Sequence, residues 1–385
     1  MSPQGWRSVC LGELASIVTG ATPKAAEADS WGEYLDFVTP SDQLEGHREA
    51  VPVRRLSKIG AERLKRRIVP PLSTNLTCIG STIGKVSMAA TECVTNQQIN
   101  SLVAREQVAD PRFIYYMILG WSPELKRFAA GSATPIVNKS DLSEFRFSVP
   151  NLPVQRAIAE VLGALDDKIA ANRRLVETAD ELAVSIVRSG YVDGGEVQLG
   201  NIATITMGSS PPGDSYNEEG RGTVFYQGNR DFGFRSPTNR VWTLDPKRVA
   251  HAGDTLVSVR APVGELNIAT EETCVGRGLA ALRSTEGAPA VLYYRLKAAP
   301  RVWDSYESGG TVFGSINGKE LHALKIPALA DVRLLEMSVS ELDRIIASAE
   351  MESIQLAKIR DTLLPRLMSG ELRVRDAEKI TSNAI

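Results

Sequence analysis

Hydrophobic positions recur at alternating steps of three and four along two separate stretches of the chain. In the first, from about residue 154 to 187, the spacing is kept by Ile158, Leu162, Leu165, Ile169, Asn172, Val176, Ala179, Ala183 and Ile186. In the second, from about residue 332 to 368, it is kept by Leu335, Val339, Leu342, Ile346, Ala349, Ser353, Leu356, Arg360, Leu363 and Leu367. Such heptad seams predict two long helices, each needing a partner. They can pair with each other, and an antiparallel pair is the simplest route for the intervening chain. At 1.5 Å per residue the rod would be roughly 50 Å long, with a globular region at each end related by an approximate two-fold axis. Asn172 either fixes the register of the first seam or faces solvent at its edge. Arg360 is expected to interrupt the second seam, and Pro365 to end or kink its helix.

Ahead of each long helix the pattern changes. Short β-type runs such as Ser101-Leu102-Val103 and Thr255-Leu256-Val257-Ser258-Val259 are punctuated by Gly, Pro, Ser, Thr and Asn, which is strand-and-turn chemistry. These two regions repeat each other. Leu11-Gly12-Glu13-Leu14-Ala15 returns as Leu199-Gly200-Asn201-Ile202-Ala203, and Ile83-Gly84-Lys85-Val86 as Val263-Gly264-Glu265-Leu266. Tyr115-Tyr116 returns as Tyr293-Tyr294, Phe147-Ser148-Val149-Pro150 as Leu324-Lys325-Ile326-Pro327, and Leu165-Asp166 as Leu342-Asp343. Five matches in one order, about 180 residues apart, describe one plan written twice. Each copy reads as strands, a short helix around the paired tyrosines, a proline, then the long helix.

Composition narrows the function. The 385 residues carry 44 Lys+Arg against 46 Asp+Glu, a net charge of −2. That excludes a chain wrapped in basic surface, though not local basic patches. Cys10, Cys78, Cys93 and Cys274 are too scattered for a metal or redox clamp, and the histidines are only His47, His251 and His322. No structural metal site is expected. Without a leader pattern or an apolar run of roughly 20 residues, a cytoplasmic protein with reduced thiols is expected.

Catalytic motifs do not develop. Gly80-Ser81-Thr82-Ile83-Gly84-Lys85-Val86 is one residue short of a phosphate-binding loop and has Val86 where Ser or Thr would hold magnesium; a turn between strands fits better. Gly276-Arg277-Gly278 lacks the surrounding βαβ unit of a dinucleotide fingerprint. Asp166-Asp167-Lys168 reads as a solvated charge cluster on the coil rather than a nuclease site. No catalytic residue and no metal ligand is assigned.

Two variable regions, each followed by a long helix, resemble the specificity subunit of type I restriction–modification systems. The strongest part is Val149-Pro150-Asn151-Leu152-Pro153-Val154-Gln155 running into Leu165-Asp166-Asp167-Lys168-Ile169-Ala170-Ala171-Asn172, with Leu363-Leu364-Pro365-Arg366-Leu367-Met368-Ser369-Gly370-Glu371-Leu372 as a closing motif. Val18-Thr19-Gly20-Ala21-Thr22-Pro23 and Met207-Gly208-Ser209-Ser210-Pro211 are similar to the loop after the first strand of its target recognition domains. The second helix departs from the pattern, since Ala328-Leu329-Ala330-Asp331-Val332-Arg333 lacks the glutamine.

The resemblance implies an α+β fold of two tandem α/β target recognition domains separated by two long helices in an antiparallel coiled coil, a pseudo-two-fold internal repeat. Its divisions would be residues 1–152, recognition domain 1; 153–190, central helix; 191–328, recognition domain 2; 329–372, C-terminal helix; and 373–385, a tail. It implies a non-catalytic reader of a bipartite double-stranded DNA target that docks two modification (methyltransferase) subunits and, in restricting assemblies, restriction subunits. S-adenosylmethionine, ATP and Mg would sit on those partners, with no cofactor on this chain. A coiled-coil scaffold that assembles proteins without reading DNA is the alternative.

Base edges are read by Arg, Asn, Gln, Ser and Thr, and phosphates are held by Lys, Arg and backbone amides. The first region offers Thr22, Lys24, Ser41, Gln43, Ser81, Thr82, Lys85, Asn96, Gln97, Gln98, Ser132, Thr134 and Lys139. The second offers Ser209, Ser210, Gln227, Asn229, Arg230, Arg260, Arg277, Thr311, Asn317 and Lys319. Any one of these fits an ordinary turn as well; their recurrence at matching places is what favours the set. Residues 54–67, with Arg63, Lys65, Arg66 and Arg67, form the densest basic segment, read as a phosphate footprint or as a solvated helix face.

Overall fold

The computed structural model describes residues 5–129, 136–306, 314–382 and 384. The chain divides into one unit of Met1–Arg173 with Glu350–Ile385, and a second of Arg174–Ala349. The division cuts through both long helices, Leu152–Ser189 and Val332–Met368, so each unit holds its sheets together with a stretch of each helix.

Both helices start where the sequence supplies a cap. The Asn151 side chain accepts from the Val154 amide at 3.1 Å, and that of Asp331 from the Leu334 amide at 2.9 Å. A cap of this kind satisfies one of the amides that a helix N-terminus leaves unpaired. Pro153 sits in the first turn, where its missing N–H costs nothing. Pro365, by contrast, does not end its helix, which continues to Met368. It stands in the last turn, and beyond it the Ser369 amide bonds the Pro365 carbonyl while Gly370, at φ +72°, closes the end.

In the first unit, among the described residues, a four-stranded antiparallel sheet has the order Ala15–Thr19, Ile99–Ala104, Thr74–Thr77, Val86–Met88. Beside it Arg54–Leu56, Trp31–Val38 and Cys93–Thr95 form a three-stranded sheet whose last pair is parallel. The strand Arg7–Cys10 pairs with Arg146–Val149 next to the start of the long helix. The helix Pro111–Ala129 packs on the four-stranded sheet through Phe113, Ile114, Tyr116 and Ile118, all buried. It is longer than the sequence suggested, and its tyrosines lie inside the core.

The second unit repeats this plan. Ala203–Met207, Leu279–Ser284, Thr255–Ser258 and Leu266–Ile268 form the four-stranded sheet. Thr223–Tyr226 pairs in parallel with Thr273–Val275, as Trp31–Val38 does with Cys93–Thr95. Pro289–Lys297 is the tyrosine helix, and Tyr191–Gln198 pairs with Lys325–Leu329.

The seam is buried within each unit. In the first, Ile158, Leu162, Leu165 and Ile169 share a core with Leu356, Leu363 and Leu367. In the second, Val176, Ala179, Ala183 and Val187 share one with Val339, Ile346 and Ala349, while Leu335 and Leu342 are half-buried against it. Val187 rather than Ile186 takes the last buried place, since a straight helix drifts off a strict heptad. The tail carries a short helix of its own, Val374–Ser382, whose Ala377 is fully buried.

Candidate nucleic-acid interface

Polar groups on the seam explain how each unit grips its helices. Asn172 is only 3% exposed, and its amide donates to Glu352 at 2.6 Å. That bond, with Lys168 at 3.2 Å, holds the Glu352 carboxyl below its ordinary range. Of its two expected roles, Asn172 therefore has the one that fixes register. Arg360 does not interrupt the seam: it donates to Asp166 at 2.7 Å, and the Tyr116 hydroxyl donates to the same carboxylate at 2.6 Å. Asp166 is thus buried and bonded rather than solvated, and its neighbour Asp167 pairs with Arg48 at 2.7 Å. Burial, with the Asp166 charge beside it, pushes the Tyr116 phenol far up, so it stays a donor.

The second unit solves the same problem with different charges. Arg235 is buried, donates to the Tyr294 hydroxyl at 2.9 Å, lies over both paired tyrosine rings and pairs with Asp343. The paired tyrosines and the Leu-Asp step, visible as repeats, are therefore the anchor between sheet and helix. Of their cationic partners, Arg48 and Arg235 gave no signal in the sequence because they come from loops, and Arg360 showed only as an apparent break in the other helix's seam.

The glutamine at the helix start is an anchor too. Gln155 is fully buried, donates to the carbonyls of Val108 and Pro150, and accepts from the Asp110 amide at the head of the tyrosine helix. The second long helix lacks it, and Glu336 accepts from the Ala290 and Val291 amides instead, again at the head of the tyrosine helix.

Beyond this anchor, each unit gathers the same loops. In the first unit the loop after Ala15–Thr19 meets the loop of residues 96–98. Gly20 N bonds Ile99 O at 3.0 Å and Ala21 N bonds Thr95 O at 2.9 Å. In the second unit Gly208 N bonds Leu279 O and Ser209 N bonds Val275 O, both at 2.9 Å. A Cβ on Gly20 would lie 2.2 Å from the Thr95 and Asn96 oxygens, and one on Gly208 would lie 2.1 Å from Gly276 O. Glycine at both places is what lets the two loops touch.

On the first loop cluster Thr22 donates to Gln97 at 2.6 Å, and both are exposed. Lys85 reaches across to the Pro40 carbonyl at 3.0 Å, and Ser41 shares a hydrogen bond with Thr39 at 2.7 Å. Ser81 and Thr82 sit on the turn joining Thr74–Thr77 to Val86–Met88, with Gly84 at φ +82°, as expected of a strand-to-strand turn. Lys24 and Lys139 are exposed, Lys139 opening a helix capped by Asn138. On the second cluster Ser210 donates to Gln227 at 3.0 Å and accepts from Arg277 Nε at 3.3 Å, beside half-exposed Ser209. Asn229 donates to Glu265 at 2.5 Å, while Arg230, Arg260 and Lys319 are exposed.

Several expected contacts are not presented. Gln43 is 3% exposed and spends its side chain on Asn75 O, Ser87 and Thr77, tying together the sheet edge. Asn96 is buried against Gln98, whose amide N–H it accepts, so of that trio Gln97 is the one that faces out. Asn317 is the cap of the helix Gly318–Ala323. Much of the basic segment is engaged within the fold: Arg63 forks onto Asp29 at 2.6 and 3.0 Å, Lys65 pairs with Glu62, and Arg67 holds the Thr19 carbonyl. Arg66 is exposed and without a hydrogen bond or ion pair among the described residues. Ser132, Thr134 and Thr311 lie outside the described residues.

The chain is thus two copies of one sheet-and-helix unit, each bringing its loops together in exposed amide, hydroxyl and guanidinium groups. A family model described as the type I restriction modification DNA specificity domain matches residues 3–179. Along its length the chain is similar to specificity subunits of type I restriction enzymes. It is 31% identical to the specificity subunit of the MjaX type I restriction enzyme of Methanocaldococcus jannaschii, over 62% of each chain. The match thus spans less than two thirds of that relative. With the MjaIX specificity subunit of the same organism it is 22% identical, over 97% of this chain and 95% of the other. The crystal structure of the type I specificity subunit from M. genitalium shares its fold, with a TM-score of 0.60 at 18% identity, over 94% of this chain and 96% of that one.

Proposed function

We propose that the chain is the DNA sequence-specificity subunit of a type I restriction–modification complex, a non-catalytic protein that reads a bipartite duplex and positions partner enzymes on it. The observation that carries this reading is the duplicated loop cluster. Thr22 with Gln97, and Ser210 with Arg277, present base-reading side chains at the same place in both copies. Two unlike clusters suit an asymmetric target in two halves. Exposed Lys24, Arg66, Arg230 and Arg260 supply phosphate contacts around them. With a net charge of −2, affinity depends on partners gripping the duplex as well.

Two modification subunits are the partners, joined by restriction subunits in restricting assemblies; S-adenosylmethionine, ATP and Mg act on those subunits. No helix among the described residues is long and apolar enough to cross a membrane; the proposed site of action is the cytoplasm, where the DNA lies.

The test is to map methylated sites in cells that carry the chain with its modification subunits. A motif of two short sequences separated by a fixed unread gap is expected. Inserting one heptad into each long helix, after Asn172 and before Glu352, adds about 10 Å of rod. The gap should lengthen while both half-sequences persist. Absence of any fixed motif refutes the function, and an unchanged gap refutes the helices as its ruler.

A further inference from the structure

The two loop clusters are built alike and differ in one chemical respect. Gln97 lies between the strands Cys93–Thr95 and Ile99–Ala104; Arg277 holds the same place between Thr273–Val275 and Leu279–Ser284. Each short loop is clamped on both sides by main chain. Asn96 N bonds Val38 O, and Gly20 N bonds Ile99 O; correspondingly Gly276 N bonds Tyr226 O, and Gly208 N bonds Leu279 O.

Each exposed side chain is then tethered by one hydroxyl from the loop after the first strand. Thr22 Oγ1 donates to Gln97 Oε1 at 2.6 Å, and Arg277 Nε donates to Ser210 Oγ at 3.3 Å. The tethers leave the reading ends available. Gln97 keeps its Nε2 donors and a second lone pair on Oε1, and both terminal nitrogens of Arg277 have no hydrogen-bond partner among the described residues. A side chain already held in place loses less rotamer freedom when it binds.

An amide offering one donor and one acceptor side by side complements adenine at N7 and N6. A guanidinium fork offering only donors complements guanine at N7 and O6. The neighbouring candidates do not compete for this role. Asn96 is turned inward onto Gln98, and Arg230 and Arg260, which have no side-chain tether among the described residues, suit phosphate. We propose that Gln97 and Arg277 set base preference, so that the first half-site presents adenine, and the second guanine, to the residue facing it.

This assignment rests on the DNA-reading function above, and the test separates the two. The full complex with modification subunits is prepared with wild-type chain, Gln97→Arg or Arg277→Gln, and its methylated motif is determined by sequencing genomic DNA. Gln97→Arg should convert one A·T pair of the first half-site to G·C and leave the second half-site and the gap alone. Arg277→Gln should do the reverse in the second half-site. In competition between matched duplexes, preference at that pair should shift roughly 5- to 150-fold. Gln97→Ala and Arg277→Ala, which remove the reading group without adding bulk, should each relax the motif at that one pair. A wild-type complex that methylates a fixed motif which neither the exchanges nor the alanines alter overturns the assignment alone. So does a change in the wrong half. A wild-type complex with no fixed motif overturns the underlying function.

Discussion

Removing the Asp166 carboxylate should loosen the first unit's grip on its helices at least as much as removing the hydroxyl that bonds it. The Asp166 side chain is 3% exposed and that of Arg360 is 12% exposed. Taking one partner from a buried ion pair costs about 3–5 kcal/mol, because the remaining charge stays desolvated. Arg360 retains Asp361 at 2.8 Å, a pair open to solvent on the Asp361 side. Exposed pairs contribute only about 0–1 kcal/mol, so Asp166→Ala should fall near the lower end, about 3 kcal/mol. Tyr116→Phe deletes one bond to a charged acceptor, about 1.5–3 kcal/mol, and leaves the Asp166–Arg360 pair intact. The double variant should cost less than the sum, by a coupling of about 0.5–3 kcal/mol, since the two groups share one bond.

Amide hydrogen exchange on the full-length chain reads this locally. Amides of residues 152–173 should exchange about 100-fold faster in Asp166→Ala, while those of the strand Thr255–Ser258 in the other unit serve as the internal reference. Acceleration below about fivefold would mean that the Asp166 network does not hold the helix. Equal acceleration in both units would mean that the variant unfolds the chain as a whole and that the anchors are not local.

Two further outcomes follow from the same structure. Gly20→Ala forces a Cβ to 2.2 Å from two carbonyl oxygens and should cost about 1–3 kcal/mol of loop closure. Methylome mapping should show the first half-site degraded and the second intact, and an unchanged motif would refute the tight loop contact. Burial pushes the Cys78 thiol up to about 11, and burial with the Asp36 charge pushes Cys93 up to about 12. Thiolate is the reactive form, so at pH 8 both should resist alkylation in the native chain while half-buried Cys10 is labelled; mass spectrometry showing equal labelling of all three would contradict the packing.

Much of this architecture was legible along the chain because its signals are periodic or local. Heptad steps depend on a helix having 3.6 residues per turn, and most of the buried seam positions of both long helices follow from that. The doubled plan was equally plain, since duplicated segments keep their glycines and core residues in order. At Pro365 the helix runs on to Met368 and ends within that turn. Local reading misled at Arg360 and Asp166, which look like a broken seam and a surface charge until they are brought together.

What the sequence by itself determined is the repeat, the paired helices and the kinds of side chain available for recognition. Only the tertiary structure decided which of those side chains face outward. Gln43 and Gln97 have the same amide, yet one closes a sheet edge and the other stands on an exposed loop. Arg63 and Arg66 carry the same charge, yet Asp29, from 34 residues away, claims the first. Such outcomes depend on contacts between distant segments, and neither periodicity nor composition records which partner a polar group will meet.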